Sequence, residues 1–125
     1  EETRRLFNTL SAGGTVTMCV AYNATDESRL NFVAPIYAYE GAIIGSTVPS
    51  AKTPIFITAA SDDDLGLATH SVHIYLKWLE AKQPAELHMY EQGKHGFGTK
   101  TQGLPVDSWM DRFADWLAMH DLLKK

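Results

Sequence analysis

TPIFITAA (residues 53–60), followed by SDDDLG (61–66) and then THSVHIYLKWLEAK (69–82), decides the architecture of this chain. The first stretch is a nearly continuous apolar run, the pattern of a strand covered on both faces within a parallel sheet. The last reads as an amphipathic helix, with Val72, Leu76 and Leu79 at i, i+4 and i+7 and Thr69 as its predicted N-cap. A strand, a polar turn and a helix in succession make most of a βαβ unit.

The same grammar repeats on either side. NFVAPIYA (31–38) is a second apolar run, and AELHMY (85–90) is a shorter, more alternating one. Pro35 counts against the first, because proline has no N–H to give a ladder, and a strand end or bulge is the expected place for it. AGGTVTMCVAY (12–22) reads as a helix weakened by Gly, Thr and Val. PVDSWMDRFADWLAMHDLL (105–123) reads as a helix whose core stripe is Trp109, Phe113, Trp116 and Leu117. Strands alternating with helices predict right-handed crossovers and a parallel sheet flanked by helices, an α/β fold. Residues 1–125 show no repeat, low-complexity tract or linker, so a single domain is expected.

The balance of residues excludes several functions. Hydrophobic residues make up 45% and charged residues 21%, a globular composition. The formal charge of -4 provides no basic footprint for nucleic acid or anionic membrane. No apolar run is long enough to span a bilayer, and the opening EETRR lacks the pattern of a signal peptide, so a cytoplasmic protein is expected. Cys19 stands alone, which rules out an internal disulfide. With no H-x-x-x-H and no second cysteine, no metal site and no cofactor are expected.

Function in a parallel sheet sits beyond the carboxyl ends of the strands, and that rule selects three places. After TPIFITAA come Asp62, Asp63 and Asp64; after AELHMY comes EQGKHGFG (91–98), with His95 flanked by Gly93 and Gly96. Near the start, LFNTLSAGG (6–14) runs a short, partly alternating stretch into Ser11, then into small residues and a helix. Serine is a poor nucleophile until a neutral imidazole takes its proton. A carboxylate on the other ring nitrogen fixes the tautomer and steadies the imidazolium. Ser, Asp and His occur here in that chain order, the order of the α/β-hydrolases. Each element also has a plainer reading: Ser11 as an N-cap or phosphate-cradling turn, the aspartates as a solvated turn, His95 as a surface residue. An EF-hand calcium loop is excluded, because DDDLG lacks the D-x-D-x-D-G spacing. His70, His73, His88 and His120 are scattered and read as structural or solvated, and Tyr37 and Tyr39 are candidates for the rim of a site.

Four stretches, LSAGG (10–14), TAASDDDLGLATHS (58–71), KQPAELHMYEQGKHGFG (82–98) and WMDRFADWL (109–117), carry a family resemblance. The chain resembles the C-terminal half of an α/β-hydrolase esterase, of the group that includes acetyl-ester, acetylxylan and feruloyl esterases and the dienelactone hydrolases. By that resemblance Ser11 matches the nucleophile and His95 the general base. Counting back from Ser71, the family's paired aspartates fall on Asp62 and Asp63, and the second is the triad member; Asp63 is therefore chosen over Asp62 and Asp64. The Ala12 backbone N–H would supply one oxyanion donor. Two departures stand out. Thr9 replaces the first glycine of G-x-S-x-G, and EETRRLFN (1–8) reads poorly as the buried strand that precedes the nucleophile, so whether residues 1–10 form a strand is left open. The family's segments before that turn, including its second oxyanion donor, are absent from these residues.

The resemblance implies a serine carboxylesterase for short-chain, acetyl-type esters, with a small-molecule ester as its partner. Asp62→Asn is expected to leave its activity standing. A prolyl-oligopeptidase-type serine peptidase shares the C-terminal pattern. A catalytically incomplete half-domain needing a partner chain, and a non-catalytic interaction module, are the other readings. An unpaired edge at the first strand tends to recruit another chain, so a homo-oligomer or a partner covering that edge is expected.

Overall fold

The computed structural model describes residues 6–10, 12–50 and 52–123. Along the strands, side chains alternate between two apolar layers, which explains why these runs are apolar throughout. Phe32, Ala34 and Ile36 of strand β2 (Phe32–Ile36) and Phe56 of β3 (Ile55–Ala60) face one layer. Val33, Ile55 and Ile57 face the other. Every residue of both strands is buried. With β1 (Leu6–Leu10) and β4 (Ala85–Tyr90) they form a four-stranded parallel sheet in the order β1-β2-β3-β4. The α/β architecture is the one the sequence predicts, and β1 answers the question left open at residues 1–10: residues 6–10 form a strand.

Helices α1 (Ala12–Tyr22) and α2 (Ala68–Glu80) supply Met18, Ala21, Ile74 and Trp78 to the layer shared with Val33, Ile55 and Ile57. Helix α3 (Trp109–Met119) covers the opposite face with Trp109, Phe113 and Trp116. Phe56 meets Phe113 and Trp116 with ring centroids 5.0 and 5.7 Å apart. Each large side chain withdrawn in this way contributes about 1.5–3 kcal/mol of transfer free energy. The close approach of α1 to the sheet depends on Gly14: a Cβ there would lie 2.9 Å from the Ala38 Cβ and 3.3 Å from the Ile36 carbonyl oxygen.

The structure corrects four local expectations. Pro35 lies inside β2, neither at its end nor in a bulge; the β2–β3 ladder passes over it, with Val33 N–H donating to Pro54 O and Tyr37 N–H to Thr58 O. Thr69 is not the N-cap of α2: the helix begins at Ala68, with Leu67 in the N-cap position and no side-chain cap. The buried stripe of α2 is Ser71, Ile74 and Trp78, whereas Leu76 and Leu79 are exposed. Both stripes satisfy helical spacing. The larger area of Trp78, together with the hydrogen bond of 2.8 Å from its indole N–H to Thr53 O, decides between them. Finally, residues 105–123 do not make one helix: Pro105–Ser108 is a 3-10 turn, and α3 ends at Met119. The stripe read from that stretch is correct in Trp109, Phe113 and Trp116, with Leu117 packed against them.

Because all four strands run parallel, their carboxyl ends, Leu10, Ile36, Ala60 and Tyr90, lie along one rim.

Candidate active site

At that rim the ends of β3 and β4 are tied together, Ser61 N–H donating to Tyr90 O at 2.7 Å. The chain then turns, with Asp63 N–H on Ala60 O, and this directs the Asp63 side chain inward until none of it is exposed. Both carboxylate oxygens are satisfied. Leu65 N–H donates to Oδ1 at 2.8 Å, and the His95 ring donates from Nδ1 to Oδ2, also at 2.8 Å. The His95 side chain is 14% exposed. A carboxylate holding Nδ1–H fixes the tautomer in which Nε2 carries the base lone pair.

His95 is held from several sides. The Tyr37 ring, from the residue just past β2, lies 4.7 Å from the imidazole between centroids, and Phe97 meets Tyr37 edge-on at 4.8 Å. Tyr37 is buried and sits at φ +40°, a region a non-glycine residue rarely occupies without compensating contacts. Burial pushes its phenol above the ordinary tyrosine range, opposed by a hydrogen bond from the Gly98 backbone. The Trp109 indole N–H donates to Gly98 O at 2.7 Å, anchoring the loop to α3. Within the loop, Gly96 at φ +75° makes the left-handed turn directly after His95. Gly93 serves by size: a Cβ there would stand 3.2 Å from the Ala60 Cβ and 3.2 Å from Val106 Cγ1.

The neighbouring aspartates are occupied too. Asp62 Oδ1 accepts the N–H groups of Gly93 and Lys94 at 2.9 and 2.7 Å, and Asp64 Oδ1 accepts the His95 N–H at 3.2 Å. The bond from His95 is the main reason the Asp64 carboxyl lies below the usual range. Neither Asp62 nor Asp64 is the carboxylate on the His95 ring. Ser11 lies outside the described residues; Ala12, which follows it, is the first residue of α1. Backbone N–H groups in the first turn of a helix are not used by its own ladder and point outward at the positive end of its dipole.

The other predicted candidates separate by structure. Tyr37 faces the site, whereas Tyr39 is exposed and packs on His70 with centroids 5.2 Å apart. His73 donates to the Glu40 carboxylate, His70 Nδ1 accepts the Glu40 N–H, His88 donates to Glu86, and His120 packs on Trp116. Among the described residues no group of three or more His, Cys, Asp and Glu is arranged to hold a metal ion, and no helix is long and apolar enough to cross a membrane. Sequence reasoning missed the seat that Tyr37 makes for His95 and the clamping by Asp62 and Asp64. The only signal for the clamp was the run of three acids itself, since its donors are main-chain amides.

With this geometry in view, comparison with known proteins is informative. The model of the dienelactone hydrolase family matches residues 11–125. None of the curated proteins compared matches the chain. Among solved structures, an alpha/beta hydrolase enzyme from a Medee basin deep-sea metagenome library is 24% identical, with a TM-score of 0.71 over 89% of this chain and 52% of its own. An acetyl ester-xyloside bifunctional hydrolase from Caldicellulosiruptor lactoaceticus is 20% identical, with a TM-score of 0.77 over 92% of this chain and 56% of its own. A carboxylesterase from Lactobacillus plantarum is 18% identical, with a TM-score of 0.74 over 93% and 58%. The likeness shows the shared α/β-hydrolase fold, and the chain spans little more than half the length of these relatives.

Proposed function

The chain belongs to the dienelactone hydrolase family, and from that premise we propose that it is a serine carboxylic-ester hydrolase acting on short-chain, acetyl-type esters. The observation that carries the reading is the Asp63–His95 pair, its carboxylate fully buried and Nδ1 committed to it at 2.8 Å. In this reading Ser11 Oγ attacks the ester carbonyl carbon while His95 Nε2 takes the hydroxyl proton. The carbonyl oxygen becomes an oxyanion and accepts a hydrogen bond from the Ala12 N–H. Asp63 stabilises the imidazolium.

Collapse of the tetrahedral intermediate breaks the bond to the leaving oxygen, and His95 Nε2 returns the proton to it, releasing the alcohol and leaving an acyl group on Ser11. Water then attacks the acyl carbon as His95 accepts its proton; the proton passes to Ser11 Oγ as the carboxylic acid departs. The chain's own residues therefore supply a base, a nucleophile and one oxyanion donor.

The test is steady-state hydrolysis of p-nitrophenyl acetate against a dipeptide p-nitroanilide. The reading expects ester turnover that disappears in Ser11→Ala and His95→Ala, with amide turnover far slower. Undiminished ester turnover in Ser11→Ala would contradict it.

A further inference from the structure

We propose that Asp62 is a positioning residue for His95, acting through the main-chain amides at the base of the histidine loop; this rests on the esterase reading above. Three consecutive acids at the end of β3 hold one loop in three ways. Asp63 takes the imidazole, Asp62 takes the amides of Gly93 and Lys94, and Asp64 takes the amide of His95 itself. Successive amides converging on a carboxylate make a nest, a main-chain anion site, and here the anion comes from the protein. The nest is formed partly by Lys94 at φ +64°, in the left-handed region that is uncommon and unfavourable for a side chain bearing a Cβ. Without the acceptor, Lys94 is released toward ordinary φ, and the residue that swings with it is His95.

The attachment on the other side is rigid. Gly93 is buried against Ala60, the last residue of β3, and Asp62 lies two residues past that strand. The clamp therefore ties the histidine loop to the sheet end that also presents Asp63. The Lys94 ammonium stands 3.8 Å from Asp62 Oδ2 but is 65% exposed, a rim pair worth little. The positioning thus depends on an oxygen that accepts two N–H groups. The side-chain carbonyl of asparagine is such an oxygen, whereas alanine offers none.

The experiment compares wild type, Asp62→Ala and Asp62→Asn by two readouts: the downfield proton NMR signal of His95 Nδ1–H, and kcat and KM for p-nitrophenyl acetate. The clamp expects Asp62→Ala to lose or broaden the signal and to lose kcat on the order of 10²-fold with KM little changed, as for a misplaced catalytic group. Asp62→Asn should rescue both. If Asp62→Ala does not fold, Asp62→Ser takes its place, because its hydroxyl is too short to reach two amides and the same loss is expected. Wild-type signal and kcat in the alanine or serine variant, or an asparagine variant as impaired as alanine, would overturn the proposal. Wild-type protein that shows the signal but hydrolyses no ester sinks the esterase reading instead. The clamp is then decided on the signal alone, and its survival in Asp62→Ala would overturn it.

Discussion

Asp63→Asn separates the chemistry of the Asp63–His95 pair from its packing, because the two side chains have nearly the same shape. In the native chain Oδ1 accepts Leu65 N–H and Oδ2 accepts His95 Nδ1–H, both at 2.8 Å. An asparagine that keeps its oxygen on Leu65 presents its NH2 group to Nδ1, so two donors face one another. The imidazole relieves this by moving its proton to Nε2, and Nδ1 becomes the acceptor. No charge is left buried and each group keeps a partner, so the stability cost is about 1 kcal/mol or less. The catalytic cost is far larger: Nε2 now carries a proton where the reaction needs a lone pair, and the imidazolium loses its counter-charge. A wrong tautomer of this kind lowers kcat about 10⁴-fold, and four decades at 1.36 kcal/mol each amount to about 5.4 kcal/mol of barrier. The assay is kcat and KM for p-nitrophenyl acetate beside a urea unfolding curve on the same preparation. A folded variant that keeps more than about a tenth of wild-type kcat would refute the tautomer argument.

Three further outcomes follow from packing and titration. Gly14→Ala sets a Cβ 2.9 Å from the Ala38 Cβ, a neighbour with no flexible end to move. Overpacking of about 1–3 kcal/mol outweighs the helix-propensity gain of about 1 kcal/mol, so the urea midpoint should fall; an unchanged or raised midpoint would contradict the close fit of α1. Gly96→Ala meets nothing within 4 Å but must hold φ +75°, so it should cost about 1–2 kcal/mol by backbone strain alone, read from the same unfolding curves. Tyr22, Tyr37 and Tyr90 all have phenols raised by burial, opposed at Tyr37 by the Gly98 amide and at Tyr90 by Arg112. Since the unfolded chain ionises these groups first, their contribution to stability is fully present below about pH 10 and is lost as pH rises through the folded values. Urea midpoints that rise over that alkaline range would contradict the sign.

What the sequence made legible was whatever leaves a periodic or ordered trace. The apolar runs at 31–38 and 53–60, which contain β2 and β3, the stripe of Trp109, Phe113 and Trp116, and the acid and histidine after successive strands could all be read from the residues alone. Asp63 was singled out by counting along a family motif, and it is the aspartate found on the His95 ring. What could not be read depends on contacts between groups that leave no pattern. On α2 two apolar stripes competed, and the area of Trp78 with its bond to Thr53 decided the buried face. The seat beneath His95 comes from Tyr37, just past the end of β2, in a strained φ that residue type does not announce. The roles of Asp62 and Asp64 were hidden because their partners are backbone amides, which every residue but proline carries.

The central claim, that Ser11 and the Asp63–His95 pair work as one nucleophilic centre, is tested most directly by intact mass after treatment with a fluorophosphonate. The account expects a single adduct, mapped by peptide analysis to Ser11, absent from Ser11→Ala and strongly slowed in His95→Ala. A folded chain that takes no adduct, or takes it at a residue other than Ser11, would contradict the account.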